Sequence, residues 1–310
     1  MNPSHTGFIF PGQGSQKVGM LADLAEGHAQ VIETFTLASD VLGYDLWALI
    51  QGGPEGDLAK TDIQQPAILT ASVAIWQLWK AKGGFDPAIM AGHSLGEYSA
   101  LACAGVLSFT DAVGLVQKRG QYMQTTVPIG EGGMAAIVGL DDEKVVAACE
   151  QAKEDEEVAA VNFNSPGQVV ISGHTKAVAR ASELCKEAGA KRALPLPVSA
   201  PFHSILMKPA AEKFFLDLKA VQFNPPEIPV IQNYGLESVS DPDKIRENLV
   251  SQIYNCVPWV DTINKFSNIG ITQVAEFGPG RVLAGLNKRI QPEMAVMTVN
   301  DCASLQDALA

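Results

Sequence analysis

Residues 92–96 have the sequence GHSLG and lie between the apolar run of residues 87–91 and a segment with helical character. A Gly-x-Ser-x-Gly sequence between a strand and a helix is typical of a nucleophile elbow, a tight turn that raises the serine hydroxyl above the sheet. The following helix directs backbone N–H groups toward a developing oxyanion. An ordinary glycine-rich turn is the alternative, but the placement of the motif favours Ser94 as a nucleophile.

Strands and helices alternate in the two outer parts of the chain, which predicts a mainly parallel sheet with helices on its faces. Its predicted strands are residues 8–10, 88–91, 229–232 and 273–277. Between them, residues 134–198 give the order β-α-β-β-α-β of the ferredoxin-like unit. We therefore predict an α/β fold with a catalytic core of residues 1–127 and 199–310 and an inserted subdomain of residues 128–198.

Composition excludes several classes of function. The 310 residues are 47% hydrophobic and carry a net charge of -12, with no Lys/Arg run longer than two, which argues against nucleic-acid binding. The five cysteines are scattered and form no CxxC pair, so neither a disulfide framework nor a metal site is predicted. We also predict that the protein needs no cofactor.

The N-terminal residues lack the pattern of a signal peptide, and no apolar run reaches the roughly 18 residues of a membrane span. We therefore expect a soluble cytoplasmic protein without membrane contact. The length and the absence of linkers at either end favour a free-standing chain over a domain of a larger synthase, and we expect a monomer.

The chain contains five histidines, and one lies where a base for the serine is expected. His5 is close to the start, His28 lies in a polar helical stretch, and His174 is predicted to begin a helix of the insert. His93 flanks the serine and cannot easily turn its ring back, so we interpret it as a packed wall residue. His203 lies on a proline-containing loop that leaves the insert, a common place for a catalytic group.

A hydrolase triad would add an acidic residue between the serine and the histidine in chain order. The acids in that interval, such as Asp141, Asp142 and residues 154–157, fall mostly in the insert and are predicted to be solvated. The residue that would orient the histidine is therefore missing from the simple template.

Residues 11–15, with the sequence PGQGS, follow the first predicted strand. A phosphate-binding G-x-G-x-x-G loop would need glycine at position 17, which is Lys17, and no G-K-[ST] follows. We interpret this segment as a loop that approaches a ligand closely, with the Gln13 N–H as an oxyanion donor.

Arg119 lies one helix after the elbow. Most arginines in such a position are exposed on an amphipathic helix. The neighbourhood of Arg119 is otherwise apolar and rich in glycine, which leaves open a buried role in binding an anion.

Five motifs in this order resemble the malonyl-CoA:acyl carrier protein transacylases of bacterial type II fatty acid synthesis, and the resemblance covers nearly the whole chain. The motifs are FPGQGS at 10–15, GHSLGE at 92–97, Gln117-x-Arg119 with Met123, Ser199-x-Pro-Phe-His203-Ser, and EFGPG at 276–280.

The resemblance implies an α/β-hydrolase-like core and assigns roles to individual residues. Ser94 would be the nucleophile, His203 the base and Arg119 the ligand of the malonyl carboxylate. The N–H groups of Gln13 and Leu95 would form the oxyanion hole. In the family a backbone carbonyl orients the histidine, and the matching residue here is Gln252.

Other residues are assigned to the substrate pocket by the same resemblance, namely Met123, His93 and Phe202. Phe202 resembles the malonyl-selective form of its loop, in which a bulky ring disfavours methylmalonyl. Cys256 stands where proline is expected, a departure that concerns loop shape rather than chemistry.

The implied reaction moves a malonyl group from malonyl-CoA to the phosphopantetheine thiol of acyl carrier protein through a malonyl-serine intermediate, with ping-pong kinetics. A serine esterase or thioesterase is the nearest alternative, although it has no use for a buried arginine. A noncatalytic acyl-CoA-binding module, with Ser94 as a turn residue, is the alternative from another class.

The carrier protein implied by the resemblance is acidic, as is this chain, so a local basic patch must reverse the repulsion. We propose Lys191, Arg192, Lys288 and Arg289 for this patch. Each of them alone could equally be a scattered solvated charge.

Overall fold

The structure is a computed structural model that describes residues 2–198 and 200–310. Ser199, the predicted start of the second core segment and of one motif, lies outside the described residues. The strands are β1 (Thr6–Phe10), β2 (Ile89–Gly92), β3 (Gly132–Val138), β4 (Val158–Ser165), β5 (Gln168–His174), β6 (Arg192–Pro195), β7 (Val230–Ile231), β8 (Gln273–Phe277) and β9 (Ala295–Val299). The helices are α1 (Ala22–Gly27), α2 (Ala29–Leu42), α3 (Leu46–Gly52), α4 (Glu55–Leu58), α5 (Thr61–Ala81), α6 (Leu95–Cys103), α7 (Phe109–Thr125), α8 (Asp142–Ala152), α9 (Thr175–Glu187), α10 (Lys208–Lys219), α11 (Pro242–Gln252), α12 (Trp259–Asn268), α13 (Val282–Ile290) and α14 (Cys302–Leu309).

The larger sheet is parallel and has the strand order β7-β2-β1-β8-β9. Its central strand β1 is buried along its whole length, as expected for a parallel strand with helices on both faces. The chain extends the sheet from β1 first in one direction and later in the other. Loops that leave β1 and β2 therefore meet at the same edge, where α/β proteins commonly bind ligands.

The second sheet is antiparallel and has the order β4-β5-β3-β6. Along the chain its elements run β3-α8-β4-β5-α9-β6, which is the predicted sequence of strands and helices. The two helices and the sheet share a separate apolar core that includes Val145, Val169, Ile171 and Ala181. An α/β fold with a parallel sheet is thus confirmed, and an antiparallel sheet accompanies it.

Two backbone hydrogen bonds join the antiparallel sheet to the part of the chain that contains the parallel sheet. Val257 donates from its N–H to the carbonyl oxygen of Val161, and Phe163 donates to the carbonyl of Val257. These bonds attach β4 to the loop between α11 and α12, so the second sheet is held beside the edge where β1 and β2 end. No helix in the described ranges is long and apolar enough to cross a membrane.

Several elements differ from the sequence-based expectation. His28, which was expected within a helical stretch, has an extended backbone and separates α1 from α2. Helix α5 begins at Thr61 and includes Pro66, a residue type that is more common at the first position of a helix. Strand β9 and helix α14 were not predicted. Strand β9 is a short edge strand that is specified by its pairing with β8.

Candidate active site

The turn at Ser94 connects β2 to α6 and holds the serine at φ 52° and ψ −104°. A Cβ atom on Gly92 would lie 1.9 Å from the carbonyl carbon of Gly96, and one on Gly96 would lie 2.0 Å from the carbonyl oxygen of Phe10. Only glycine fits at either position. The strained serine conformation is therefore supported by close backbone packing, as is common at functional sites.

His203 faces the serine directly. Its Nε2 lies 2.8 Å from Oγ of Ser94, and its Nδ1 lies 2.9 Å from the backbone carbonyl oxygen of Gln252. Because a carbonyl only accepts, Nδ1 carries the proton and Nε2 is free to accept the serine proton. Burial, with a further contribution from the charge of Arg119, lowers the pKa of His203 to about 3. The imidazole is therefore neutral at ordinary pH.

Arg119 is fully buried on α7 and lies beside Ser94. Its Nη1 donates to Oε1 of Gln65 over 2.8 Å. Its Nη2 donates to Oγ of Ser94 and to Oε1 of Gln252, each over 3.0 Å. The guanidinium also lies 5.2 Å from the centre of the Tyr98 ring. Arg119 is therefore not an exposed residue of a surface helix.

A cavity of about 450 Å³ opens above Ser94 and His203. Residues of the loop after β1 form one wall, and residues of the antiparallel sheet, including Met134 and Val170, form the opposite wall. Phe202 also lines this space. A larger groove of about 990 Å³ runs along α9 and contains none of the predicted site residues. The smaller cavity is the candidate substrate pocket, because Ser94 and His203 line it.

The predicted oxyanion donors lie at this edge of the sheet. Leu95 is the first residue of α6, and N–H groups in a first helical turn have no partner within the helix. Gln13 lines the cavity, and its side chain is held by two amides of α5. Its Nε2 donates to Oε1 of Gln64 over 2.5 Å, and its Oε1 accepts from Nε2 of Gln65 over 3.3 Å.

The other predicted pocket residues occupy different surroundings. His93 lines the cavity, but its Nε2 lies 2.8 Å from Oδ1 of Asn164 and its ring lies against Trp259, so it does not serve the serine. Burial lowers its pKa. Met123 lies one helical turn after Arg119 in the hydrophobic core and not on the described cavity wall. Its contact with substrate stays a prediction.

Three polar residues of the site were missed by sequence reasoning. Gln65 holds Arg119, as described above. Asn233 accepts from the N–H of Ser94 through Oδ1 and donates through Nδ2 to the carbonyl of Gly92. Glu97 is fully buried beneath the turn. The available signal was polar residues in otherwise apolar segments, because buried polar groups require partners.

A serine with a neutral base, a buried cation and free helical N–H groups can form and break acyl esters. The arginine additionally suits an acyl group that ends in a carboxylate, since a guanidinium can bind both carboxylate oxygens. Among the described residues, no group of three or more His, Cys, Asp or Glu side chains is arranged to hold a metal ion.

Known proteins resemble this chain along nearly its whole length. Residues 7–302 match the acyl transferase domain family. The malonyl CoA-acyl carrier protein transacylase of Salmonella typhimurium is 55% identical over 302 residues, which are 97% of this chain and 98% of that protein. An acyl carrier protein S-malonyltransferase from Vibrio cholerae is 56% identical, with a TM-score of 0.97 over 99% of this chain and all of its own (100%). A malonyl-transacylase solved with its type II PKS acyl-carrier protein is 54% identical, with a TM-score of 0.98 over 99% of both chains.

Proposed function

This chain belongs to the acyl transferase family, and within it to the malonyl CoA-acyl carrier protein transacylases, and on that premise we propose that it transfers malonyl through a covalent ester on Ser94. The observation that carries the proposal is the contact of one oxygen, Oγ of Ser94, with both His203 and Arg119. The first residue is suited to remove the serine proton and the second to hold the malonyl carboxylate.

In the first half-reaction, Nε2 of His203 takes the proton from Ser94 while Oγ attacks the thioester carbon of malonyl-CoA. The resulting oxyanion is stabilised by the N–H groups of Gln13 and Leu95. The tetrahedral intermediate then collapses, the C–S bond breaks, and the imidazolium gives its proton to the departing CoA sulfur. Malonyl remains esterified to the serine.

In the second half-reaction, the phosphopantetheine thiol of acyl carrier protein enters the same cavity. Neutral His203 accepts the thiol proton, the sulfur attacks the ester carbon, and the C–O bond to Ser94 breaks. The proton returns to Oγ. The Gln252 carbonyl accepts from Nδ1 of His203 and therefore stabilises the imidazolium in both half-reactions. This carbonyl takes the place of the acidic residue of a conventional triad.

Recognition of malonyl follows from the burial of Arg119. A carboxylate that enters a site without water must be paired with a charge, and the guanidinium can offer two parallel hydrogen bonds. Phe202, which is 6% exposed and lines the cavity, would crowd a substituent on the malonyl α-carbon. The arginine favours malonyl over acetyl, and the phenylalanine favours malonyl over methylmalonyl.

We also propose that the antiparallel sheet and its helices form a ferredoxin-like subdomain and that the parallel sheet belongs to an α/β-hydrolase-like core. The strand order β4-β5-β3-β6 and the helix positions support a ferredoxin-like subdomain, and the strand-turn-helix at Ser94 supports an α/β-hydrolase-like core. We propose that the boundaries between core and subdomain lie at 127/128 and 198/199. Acyl carrier protein as the partner is supported by the relative solved with its carrier protein.

Intact mass after mixing with malonyl-CoA tests the covalent step. We expect one malonyl adduct that persists without acceptor, disappears when holo acyl carrier protein is added, and is absent in Ser94→Ala. The Ser99→Ala variant, which removes another buried hydroxyl of α6, serves as the control and should keep the adduct. Steady CoA release without carrier protein would instead indicate a hydrolase, and the absence of any adduct would indicate a binding module.

A further inference from the structure

Glu97 is a fully buried carboxylate that the proposed reaction does not use. Its Oε2 accepts from the N–H of Asn233 over 2.9 Å and from Nε2 of Gln252 over 2.8 Å, and its Oε1 accepts from Nε2 of Gln232 over 3.3 Å. Every one of these partners is a donor, which suits an ionised carboxylate. Burial raises its pKa to about 7, although these hydrogen bonds and the charge of Arg119 oppose the rise.

The bond from Gln252 to Glu97 is one of three contacts that determine which way the Gln252 amide faces. With Nε2 directed to Glu97 and to the carbonyl of Ser94, the Oε1 atom is left facing Arg119. A flipped amide would present donors to a guanidinium, which has only donors itself. The carboxylate thereby contributes to presenting the Gln252 oxygen that accepts from Nη2 of Arg119.

The bond to Asn233 links Glu97 to the turn at Ser94. The backbone N–H of Asn233 donates to Glu97. The side-chain amide of Asn233 accepts from the N–H of Ser94 over 2.8 Å and donates to the carbonyl of Gly92 over 2.7 Å. Oε2 of Glu97 thus accepts both from Asn233, which holds the strained turn, and from Gln252, which holds Arg119.

We propose that Glu97 is a positioning residue that sets acyl selectivity by fixing the Gln252 amide and, through it, the Arg119 guanidinium relative to Ser94. The proposal rests on the proposed function. It assigns to Glu97 no contact with substrate and no proton transfer.

The measurement is the ratio of malonyl to acetyl adduct on Ser94 when the two CoA thioesters compete. Glu97→Ala should lower this ratio by about tenfold, since Arg119 loses a fixed acceptor. Glu97→Gln should stay within about twofold of the original ratio, because its single oxygen can take the position of Oε2 and accept both bonds, and only the longer bond from Gln232 to Oε1 is lost. Equal losses in the two variants, or no loss in Glu97→Ala, would overturn the proposal.

Glu276 provides a matched control. It is also fully buried and its pKa is also raised by burial to about 7, but its oxygens accept from the N–H groups of Leu283 and Ala284 at the start of α13. Glu276→Ala removes a buried carboxylate outside the site, as Glu97→Ala does within it, and the ratio should not change. A change of similar size would show a general effect of losing a buried carboxylate and contradict the proposal.

Two further variants keep the test decisive if Glu97→Ala does not fold. Glu97→Asp is one methylene shorter and should lower the ratio while Glu97→Gln preserves it. In a Gln252→Ala background, Glu97→Asp should cause no additional loss, and an additive loss would refute coupling through Gln252. Failure of the original protein to form any malonyl adduct would count against the proposed function, whereas normal adducts with unchanged ratios would count against the role of Glu97 alone.

Discussion

Arg119 donates from Nη2 to Oγ of Ser94 across 3.0 Å, so a buried cation and the candidate nucleophile are in direct contact. The same oxygen lies 2.8 Å from Nε2 of His203. The serine oxygen is thus placed between a group that can accept its proton and a positive charge that stabilises its anion. One atom is therefore in contact with both the candidate base and the candidate ligand of the acyl carboxylate.

Arg119→Ala should raise the transition-state free energy of malonyl transfer by roughly 3 kcal/mol or more, as expected when one partner of a desolvated charged pair is lost. Acetyl transfer should fall much less or rise, since no unpaired cation then faces the methyl group. Arg119→Lys should lie between the two because it keeps the charge but loses the planar fork. Competition between malonyl-CoA and acetyl-CoA for Ser94 measures the effect.

The control for this experiment is Arg246→Ala. Arg246 donates to the carbonyls of Leu218 and Val221 outside the cavity, so its loss should leave the malonyl to acetyl ratio unchanged. An unchanged ratio in Arg119→Ala would remove the assignment of Arg119 to the acyl carboxylate.

His203→Ala should slow both half-reactions by a factor on the order of 10² to 10⁴, the usual contribution of a general base. Rapid-mixing measurements of adduct formation and of adduct transfer to carrier protein separate the two steps. His174→Ala is the control, because its Nδ1 only accepts from the N–H of Glu157. Slowing of the transfer step alone would mean that the first step uses another base.

The lowered pKa of His203 predicts how stability depends on pH. Its folded pKa, about 3, lies below the unfolded value of 6.5, so between these values the unfolded chain binds more protons. This contribution lowers stability as pH falls through 6.5 toward 3, and His203→Ala lacks it. From pH 7 to pH 5 the variant should therefore gain about 2 kcal/mol relative to the original protein.

Urea unfolding of both proteins at the two pH values provides this difference. Other titrating groups are common to both chains, so their contributions cancel to first order. A difference that is constant with pH would contradict a buried neutral imidazole.

The basic patch predicted for carrier-protein docking can now be tested as a surface. Lys191, Arg192, Lys288 and Arg289 are all exposed. Arg192 pairs with Val138, Val138 pairs with Gln168, and the Gln168 amide oxygen accepts from Arg289, so two of the four lie along one row. Transfer to carrier protein should weaken with added salt and weaken further in Lys191→Glu/Arg192→Glu.

The double variant Lys213→Glu/Lys244→Glu changes net charge equally on another surface and should have little effect on this transfer. Malonyl adduct formation from malonyl-CoA should be similar in all these proteins. If neither salt nor the patch variant changes transfer, docking through this surface is ruled out.

Local sequence was sufficient to identify the turn at Ser94 and the family. Glycines at 92 and 96 are required by contacts within a few residues and with the adjacent strand β1, so the pattern is visible in one short segment. The β-α-β-β-α-β order was likewise predictable from the periods of apolar residues. The family membership inferred from five ordered motifs is confirmed by the close relatives.

The partners beneath the turn depended on tertiary structure. Gln65, Asn233 and Gln252 come from three distant segments, and nothing in their local sequence indicates which polar groups they will meet. Their identities as partners follow from burial, because each donor or acceptor enclosed with Glu97 or Arg119 must find a complement there. Sequence thus specified the turn that carries Ser94 through the steric requirements of its own backbone. The network that orients this candidate nucleophile exists only after separate helices and strands have packed around it.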